Sequence, residues 1–250
     1  MSEVTSPERL LAIFELFEKE RRPLSLKEVA ELCRIPASTC HNLVHVLLKH
    51  AYLYQAGQRK DLYPTRRLYD IGATILASDP ILQRVRPVME ELRDATRETV
   101  ILGKRQKDRV VYLEVLEGPQ VIRYSARPGD TKPLHSTCIG KTILSTLTRA
   151  EAERLLADNP PTEVTSNTIT SVERLMEDLE RGRTQGFFTT HGENVADVTA
   201  LAVPLNINNE LFGLAVAGPS HRVYASFDKV ARSLRDAQES LVERGIAGTG

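Results

Sequence analysis

The sequence predicts an α+β protein built in two parts. Apolar residues recur at helical spacing through most of the first fifty positions, which indicates a small helical unit. From position 99 onward, runs rich in β-branched residues alternate with helical segments, which indicates a mainly antiparallel sheet covered by helices. A chain of 250 residues is long enough for each part to bury a core of its own.

The first predicted helix covers residues 7–20, where the apolar positions follow the helical repeat. We expect Ser6 to cap its start. Pro7 suits the first helical position, because a backbone N–H would have no acceptor within the helix there. Arg22-Pro23 then ends the helix.

Two further helices follow in the N-terminal part. Ser25 and Glu28 have the spacing of a capping box, which opens a short helix that ends near Cys33. Pro36 begins a third helix, which runs to residue 49 or 50. Each of these helices carries its apolar residues on one side, so each is expected to pack into the same core.

A hairpin and a linker complete the N-terminal part. Residues 52–54 and 62–64 are short aromatic-rich strands around a polar loop that contains Gly57. Three helices followed by a hairpin are the order of a winged helix-turn-helix, a fold that binds DNA. A further amphipathic helix over 66–77 ends before Asp79-Pro80. We therefore place the winged helix-turn-helix DNA-binding domain in 1–64, a linker helix in 65–79 and a second domain in 80–250.

The second domain is expected to alternate strands and helices. Strands are predicted over 99–103, 109–116, 121–125, 187–190, 199–207 and 211–217. Helices are predicted over 81–96, 140–147, 149–157 and 171–186, with a final helix that Ser226 caps and that ends before Gly245. Capping boxes mark two of these helices, at Thr148 with Glu151 and at Thr170 with Glu173. The turn between the last two strands is predicted at 208–210.

Charge and cysteine content limit the class of protein. Lys+Arg and Asp+Glu both number 33, so the formal net charge is zero, which argues against a protein that coats nucleic acid without specificity. A local basic patch is still compatible with that balance. The acidic first eight residues lack the pattern of a signal peptide, and no apolar run reaches bilayer length. Three cysteines without a C-x-x-C pair fit a reduced compartment, so we expect a cytoplasmic protein.

Several segments, in order along most of the chain, resemble IclR-family transcriptional regulators. They are LKEVAEL at 26–32, IPASTCHNL at 35–43, LYDIG at 68–72, PLHSTCIGK at 133–141, TIT at 168–170 and LAVAGP at 214–219. The resemblance implies a GAF-like C-terminal effector domain, dimers or tetramers, and operator binding that a small molecule modulates. Two positions depart from the family pattern. The family often has Arg where this chain has Asn42, and a branched apolar residue where it has Cys40.

The third helix and the wing carry the residues that we expect to contact DNA. Hydroxyl residues at a helix N-terminus suit a phosphate, because the free N–H groups and the helix dipole favour an anion. Asn and His on the polar side of the helix can read base edges, and a basic pair in the wing suits a phosphate or the minor groove. These candidates are Ser38, Thr39, His41, Asn42, His45, Arg59 and Lys60. The alternative is an ordinary solvent-facing helix side and a solvated turn. Arg66 and Arg67 are open to both interpretations.

Effector contacts are assigned by the resemblance alone. The positions that it implies are Cys138, Ile139, Gly140, Thr190, Ala200, Ala215 and Ala217. Most of these are small and apolar, whereas several relatives that bind small oxo-acids have polar groups there. A wall of this kind favours a partly apolar ligand, and we expect an aromatic or similar carboxylic acid. Backbone N–H groups at the start of the Gly140 helix would bind its carboxylate. The alternative is that these residues only pack the sheet.

Three chemical signals are incomplete. Residues 135–142, HSTCIGKT, end like a phosphate-binding P-loop, but His135 stands where that motif requires its first glycine. Cys40, His41 and His45 lack a second cluster with zinc spacing. Cys138 with His135 resembles a nucleophile and its base, but we expect a packed thiol. We therefore predict no metal, no cofactor and no enzymatic activity.

The function favoured by these observations is a DNA-binding regulator that responds to a ligand, with repression the favoured direction. Its expected partners are a duplex operator, a small-molecule effector and further copies of itself. Two other classes remain open: a small-molecule enzyme with a helical assembly module, and an adaptor whose winged helix binds protein. An assembly module has no use for Arg59 and Lys60 on an exposed hairpin, and an adaptor predicts no salt-dependent affinity for the chain's own upstream DNA.

Overall fold

The computed structural model describes residues 5–248 and divides the chain into two compact units that meet at Asp79 and Pro80. The first four residues, on which the expectation of a missing signal peptide partly depends, lie outside the described range, as do residues 249–250. Between residues 5 and 248, no helix is both long and apolar enough to cross a membrane.

The N-terminal unit contains the predicted helices and hairpin. Its elements are α1 (Ser6–Glu20), α2 (Leu26–Leu32), α3 (Ala37–Lys49), β1 (Leu53–Ala56), β2 (Asp61–Pro64) and α4 (Arg67–Ala77). The two strands pair antiparallel, and Leu24 joins β2 through reciprocal backbone hydrogen bonds with Leu62 of 3.0 and 2.7 Å. The wing is thereby fixed to the segment between α1 and α2. Helices α1 to α3 bury a shared apolar core around Ile13, Val29 and Val44.

The C-terminal unit is a sheet with helices on both faces. Its helices are α5 (Pro80–Thr96), α6 (Cys138–Ser145), α7 (Arg149–Asp158), α8 (Val172–Gln185), α9 (Ser220–Ala225) and α10 (Phe227–Glu243). Its strands are β3 (Thr99–Gln106), β4 (Arg109–Leu116), β5 (Thr131–Pro133), β6 (Phe188–His191), β7 (Val198–Ile207) and β8 (Glu210–Pro219). Neighbouring strands run antiparallel in the order β5-β4-β3-β8-β7-β6. The α+β prediction is confirmed.

The two faces of the sheet have separate cores, because successive side chains of a strand point in opposite directions. Val100 and Leu214 face the layer of α5 and α10. Ile101, Ala215 and Ala217 face the layer of α6, α7 and α8. The second face therefore carries small residues close to the start of α6.

One predicted strand is absent. Residues 121–125 belong to the loop between β4 and β5, and Val121 is 95% and Ile122 71% exposed. Instead of pairing in the sheet, the loop is fixed by side chains: Arg222 donates to the Ile122 carbonyl at 2.9 Å. The edge of β4 pairs with Thr131–Pro133. β-branched composition predicted a strand here, but it does not determine which segment occupies a sheet edge.

Three predicted helix starts are also corrected. Helix α1 begins at Ser6, and Thr5 forms its capping box with Glu8. The hydroxyl of Ser171, rather than that of Thr170, caps α8 by accepting the Arg174 N–H. Ser226 precedes α10, but its hydroxyl donates to the Arg222 carbonyl, because the unpredicted helix α9 ends there. The capping boxes at Ser25 and Thr148 are present, and the remaining predicted elements shift by at most three residues.

A fully buried lysine joins α6, α8 and the segment after β6. The Lys141 ammonium lies 3.0 Å from the Thr189 carbonyl and 2.7 Å from one carboxylate oxygen each of Asp178 and Glu193. The Glu193 Oε2 atom is buried without a hydrogen-bond partner among the described residues. Burial raises the pKa of Glu193, against the opposing effect of Lys141. For Asp178, Lys141 and Arg181 outweigh burial and lower the pKa.

Helix α6 also packs closely on the chain that precedes it. A Cβ atom on Gly140 would lie 2.0 Å from the Leu134 carbonyl oxygen, a backbone atom that cannot move aside easily.

We predict that Gly140→Ala destabilises the C-terminal unit by about 2–3 kcal/mol through overpacking. Chemical denaturation followed by circular dichroism measures the change. The matched control is Gly72→Ala in α4, where a Cβ meets nothing within 4 Å. That substitution should stabilise α4 by up to about 1 kcal/mol. Equal stability of both variants would contradict the packing argument.

The Glu193 carboxyl predicts a pH dependence of stability. Because its pKa is raised in the folded state, its contribution to stability is complete below the ordinary pKa and is lost as the pH rises through the raised value. We expect the unfolding free energy of Glu193→Gln, relative to wild type, to increase from about pH 5 to about pH 8. Glu151→Gln is the control of opposite sign, since hydrogen bonds from Thr148 lower the pKa of Glu151. A pH-independent difference for Glu193→Gln would show that the carboxyl does not bind its proton more tightly on folding.

Candidate functional site

Helix α3 presents a polar face and anchors itself through an apolar one. Cys40, Val44 and Leu47 are buried in the core of the N-terminal unit. The predicted DNA-contacting residues lie on the other sides: Ser38, His41, Asn42 and His45 are exposed, and Thr39 is half-buried. The buried residues fix the helix rigidly, so its polar side chains project from a defined surface.

The start of α3 leaves backbone donors exposed. Pro36 is the N-cap and supplies no capping side chain, and the Cys40 N–H is the first to reach a helix acceptor, the Pro36 carbonyl at 2.9 Å. The N–H groups of Ala37, Ser38 and Thr39 therefore have no acceptor within the helix. Donors of this kind, at the positive end of a helix dipole, suit an anion such as a phosphate.

The wing turn carries the predicted basic pair. Arg59 and Lys60 are exposed at the tip between β1 and β2. The Lys60 N–H donates to the Gly57 carbonyl at 3.3 Å, and both residues have positive φ, 54° at Lys60 and 66° at Gly57. The tight turn therefore places both basic residues at the exposed tip of the hairpin.

A further signal in the sequence supports this surface. No Asp or Glu occurs from Leu32 to Lys60, a segment that contains the turn before α3, all of α3 and the wing. The same segment contains Arg34 and Lys49, both exposed, besides the predicted basic pair. The N-terminal unit therefore concentrates positive charge on one segment although the whole chain is neutral.

Cys40, one of the two positions that depart from the family pattern, lies in the core of the N-terminal unit. Its side chain is fully buried, and its sulfur lies 4.0 Å from the Leu26 carbonyl. Burial raises the pKa of the Cys40 thiol. Cys40 therefore packs α3 against α2, and Asn42 is the departure from the family pattern that lies on the exposed face. Among the described residues, no group of three His, Cys, Asp or Glu side chains is placed to hold a metal ion.

A cavity with an empty volume of about 390 Å³ lies between the sheet and the start of α6. Six of the seven predicted effector positions line it: Cys138, Ile139, Thr190, Ala200, Ala215 and Ala217. Gly140 does not line it, because it faces the Leu134 backbone. The three alanines come from β7 and β8, where Ala200 faces Ala217 across the pair. Their small side chains leave the space that the cavity occupies.

Sequence reasoning missed the remaining wall residues. They are Ile101, Tyr112, Tyr124, Thr137, Asn194, Val195 and Val198. Two come from β3 and β4, and the others from the loops before α6, before β5 and around β6 and β7. Tyr112 lies on the inward-facing repeat of β4, which could have indicated it. Nothing in the sequence indicated the loop residues, since only the fold brings them to one place.

The start of α6 borders this cavity with two backbone N–H groups that no helix carbonyl accepts. The Thr137 hydroxyl accepts the Gly140 N–H at 3.1 Å, and the Thr137 carbonyl accepts the Lys141 N–H at 2.9 Å. The N–H groups of Cys138 and Ile139 precede them and have no acceptor within the helix. Both interact with the Cys138 sulfur, which is a weak acceptor, so an anion would compete for them more easily than for the Gly140 N–H, which donates to Thr137.

Neither the cysteine nor the lysine of this region has the geometry of a reaction centre. Burial raises the pKa of the Cys138 thiol to about 12, so it stays neutral. The His135 ring contacts the Thr162 carbonyl at 2.9 Å instead of the thiol. The ammonium of Lys141 is surrounded by its three internal acceptors. The P-loop and nucleophile resemblances therefore correspond to packed core residues.

Comparisons with known proteins agree with this architecture. Residues 6–57 match the family model of the IclR helix-turn-helix domain, and residues 73–242 match that of the bacterial transcriptional regulator IclR C-terminal domain. The second match alone covers more than half of the chain. Its start lies within α4, which the sequence analysis assigned to the linker.

Curated relatives carry the same two parts. The chain is 31% identical to the transcriptional regulator XynR of Escherichia coli K12 over 202 residues, 81% of this chain and 80% of XynR. It is 29% identical to the regulator KdgR of Dickeya chrysanthemi over 213 residues, 84% of this chain and 69% of KdgR. The transcriptional repressor AllR of E. coli K12 is 25% identical over 218 residues, 86% of this chain and 80% of AllR.

Solved structures show the same fold. The IclR protein of Thermotoga maritima aligns with a TM-score of 0.76 at 23% identity, covering 94% of this chain and 98% of that one. An IclR homologue of Microbacterium hydrocarbonoxydans, solved in complex with 4-hydroxybenzoate, aligns with a TM-score of 0.68 at 22% identity, covering 93% and 100%. With both family models matched in order, the chain belongs to the IclR family of bacterial transcriptional regulators.

Proposed function

We propose that this regulator binds a specific DNA operator through residues 1–64, that residues 65–79 link two copies, and that residues 80–250 bind an effector. Helix α3 would enter the major groove with Asn42, His41 and His45 toward base edges. Ser38, Thr39 and the exposed N–H groups beside them would contact phosphate, as would Arg59 and Lys60 in the wing. The observation that carries the proposal is the exposed polar face of α3 within a segment without carboxylates.

Repression is the favoured direction of control. A relative, AllR, is named a repressor, and this supports the same direction here. The effector can change operator affinity only if it binds the DNA-competent and DNA-incompetent conformations with different affinity. The enzyme alternative lacks support from the relatives, which are regulators, and the adaptor alternative fails if salt-dependent operator binding is measured.

The effector class that fits the cavity is a partly apolar carboxylic acid. Among the described residues, the wall contains no charged side chain, and alanine, valine and isoleucine form most of it. The homologue that binds 4-hydroxybenzoate supports an aromatic acid as the first ligand to test.

Self-association is proposed from the surface of α4. This helix buries none of its residues, and four large apolar side chains are exposed along it: Tyr69, Ile71, Ile75 and Leu76. An isolated amphipathic helix is stable only if another surface covers its apolar side. A second α4 would do so and would pair two DNA-binding units for two half-sites.

The DNA-binding roles are separable by substitution. We expect Arg59→Ala with Lys60→Ala to weaken binding to all duplexes and to reduce the salt slope by about one for each residue. Asn42→Ala should instead relax sequence preference, at a cost of about 1–3 kcal/mol at the operator. Fluorescence anisotropy with the DNA upstream of the chain's own gene, a scrambled duplex and several salt concentrations measures both effects. Lys229→Ala, an exposed change in α10, is the control. Identical effects of both variants on unrelated duplexes would contradict the assigned roles.

The role of α4 has its own test. Ile75 is 67% exposed, so Ile75→Glu should leave the monomer folded while placing a charge in the proposed interface. We expect the dimer dissociation constant to rise by about tenfold or more in sedimentation equilibrium. Leu11→Glu on α1, where Leu11 is 58% exposed, is the matched control and should have no effect. An unchanged association state of Ile75→Glu would exclude this face as the interface.

A further inference from the structure

Two tyrosines contribute phenol groups to the wall of an otherwise apolar cavity. Tyr112, on β4, is 5% exposed, and Tyr124 lies in the loop that follows β4. Both side chains line the cavity beside Cys138. The Tyr112 phenol donates a hydrogen bond to the Tyr124 oxygen, so the Tyr124 hydroxyl proton is the one left for a partner in the cavity.

The two phenols lie close to the start of α6. Burial is the main cause that raises the pKa of both tyrosines, and the Cys138 sulfur adds to the rise for each. All three residues line the same cavity. Both phenols therefore remain protonated at neutral pH, and the Tyr124 hydroxyl is available as a donor in the cavity that Cys138 and Ile139 also line.

Among the described residues, no cationic side chain lines the cavity. Lys141 follows Cys138 by one helical turn, but its ammonium is held by Thr189, Asp178 and Glu193 and does not reach the cavity wall. An anion in such a site must be stabilised by hydrogen-bond donors instead of a counter-charge. A carboxylate that accepts several donated hydrogen bonds stays ionised even when it is buried.

We propose that Tyr124 determines the specificity of this cavity by donating a hydrogen bond from its phenol to a carboxylate oxygen of the effector, and that Tyr112 orients that phenol by donating to its oxygen. The inference rests on the proposed role of the cavity as the effector site. The phenols and the two N–H groups of α6 would surround one end of the ligand, and the alanines of β7 and β8 would contact its apolar body. A site with several convergent donors discriminates against an uncharged isostere, which cannot accept from all of them.

The test compares acids with their amides on the full-length protein. Isothermal titration calorimetry gives dissociation constants for benzoate, phenylacetate, benzamide and phenylacetamide with wild type, Tyr112→Phe and Tyr124→Phe. We expect Tyr124→Phe to weaken carboxylate binding by about tenfold or more, since a hydrogen bond to a charged group is lost. Tyr112→Phe removes the donor that orients the Tyr124 phenol and should weaken carboxylate binding by a smaller factor. Amide binding should change much less, so the ratio of acid to amide affinity falls.

Tyr224→Phe is the matched control. Tyr224 is exposed on α9, stacks on His191 and lies outside the cavity wall, so the variant should bind every ligand as wild type does. Thermal melting and near-ultraviolet circular dichroism verify that the variants are folded. Removal of a phenol hydroxyl leaves the ring in place, so the packing of the core is retained.

Two results would overturn the proposal. One is an unchanged ratio of acid to amide affinity in both cavity variants, which would assign the phenols a packing role only. The other is the absence of carboxylate binding to wild type. Operator binding by the same sample, measured by anisotropy, distinguishes this failure from failure of the regulator function, because the proposed DNA-contacting residues lie in the other unit.

Discussion

The close approach of α6 to the sheet is the constraint on which the C-terminal unit depends. Ile139 packs onto Gly103 and Gly213, which face each other across β3 and β8. A Cβ on Gly213 would come within 2.7 Å of the Ile139 side chain, and Gly140 closes on the Leu134 backbone in the same way. Because protein interiors have little free space, these glycines set the height of the helix above the sheet. That height determines where the helix start opens onto the cavity.

The two proposed sites would bind negatively charged partners by opposite means. The DNA-binding surface concentrates basic residues and excludes carboxylates, and it remains in contact with water, where charges are well solvated. The cavity excludes charge from its wall and offers neutral donors, while Lys141 is committed to Asp178 and Glu193 inside the core. A cation in the cavity wall would need a partner when no ligand is bound, whereas phenols and backbone N–H groups are less costly to leave partly solvated.

Local pattern was a good guide to helices and a weaker one to strands. The helices could be predicted because their apolar repeat and capping residues lie within a few positions of one another, as at Ser25 and Thr148. The failure at 121–125 has a clear reason. A strand forms only where a neighbouring strand can pair with it. The free edge of β4 pairs with Thr131–Pro133, next to the backbone hydrogen bond between Tyr112 and Asp130, and not with residues 121–125. The N-cap of α8 is Ser171 and not the predicted Thr170, because the sequence places two hydroxyl residues side by side and either type can cap a helix.

Sequence alone predicts the two-part organisation, the order of elements, the polar face of α3 and the basic wing, because each is encoded by residues near one another along the chain. It also indicated, through resemblance, six residues of the cavity wall. The fold is needed to see that Tyr112, Tyr124 and Asn194 also line the cavity. It is needed as well to see that Gly140 faces Leu134 and that Lys141 forms an internal ion pair with Glu193. These facts depend on contacts between segments that are distant in sequence, and the packing of α6 on the sheet fixes those contacts.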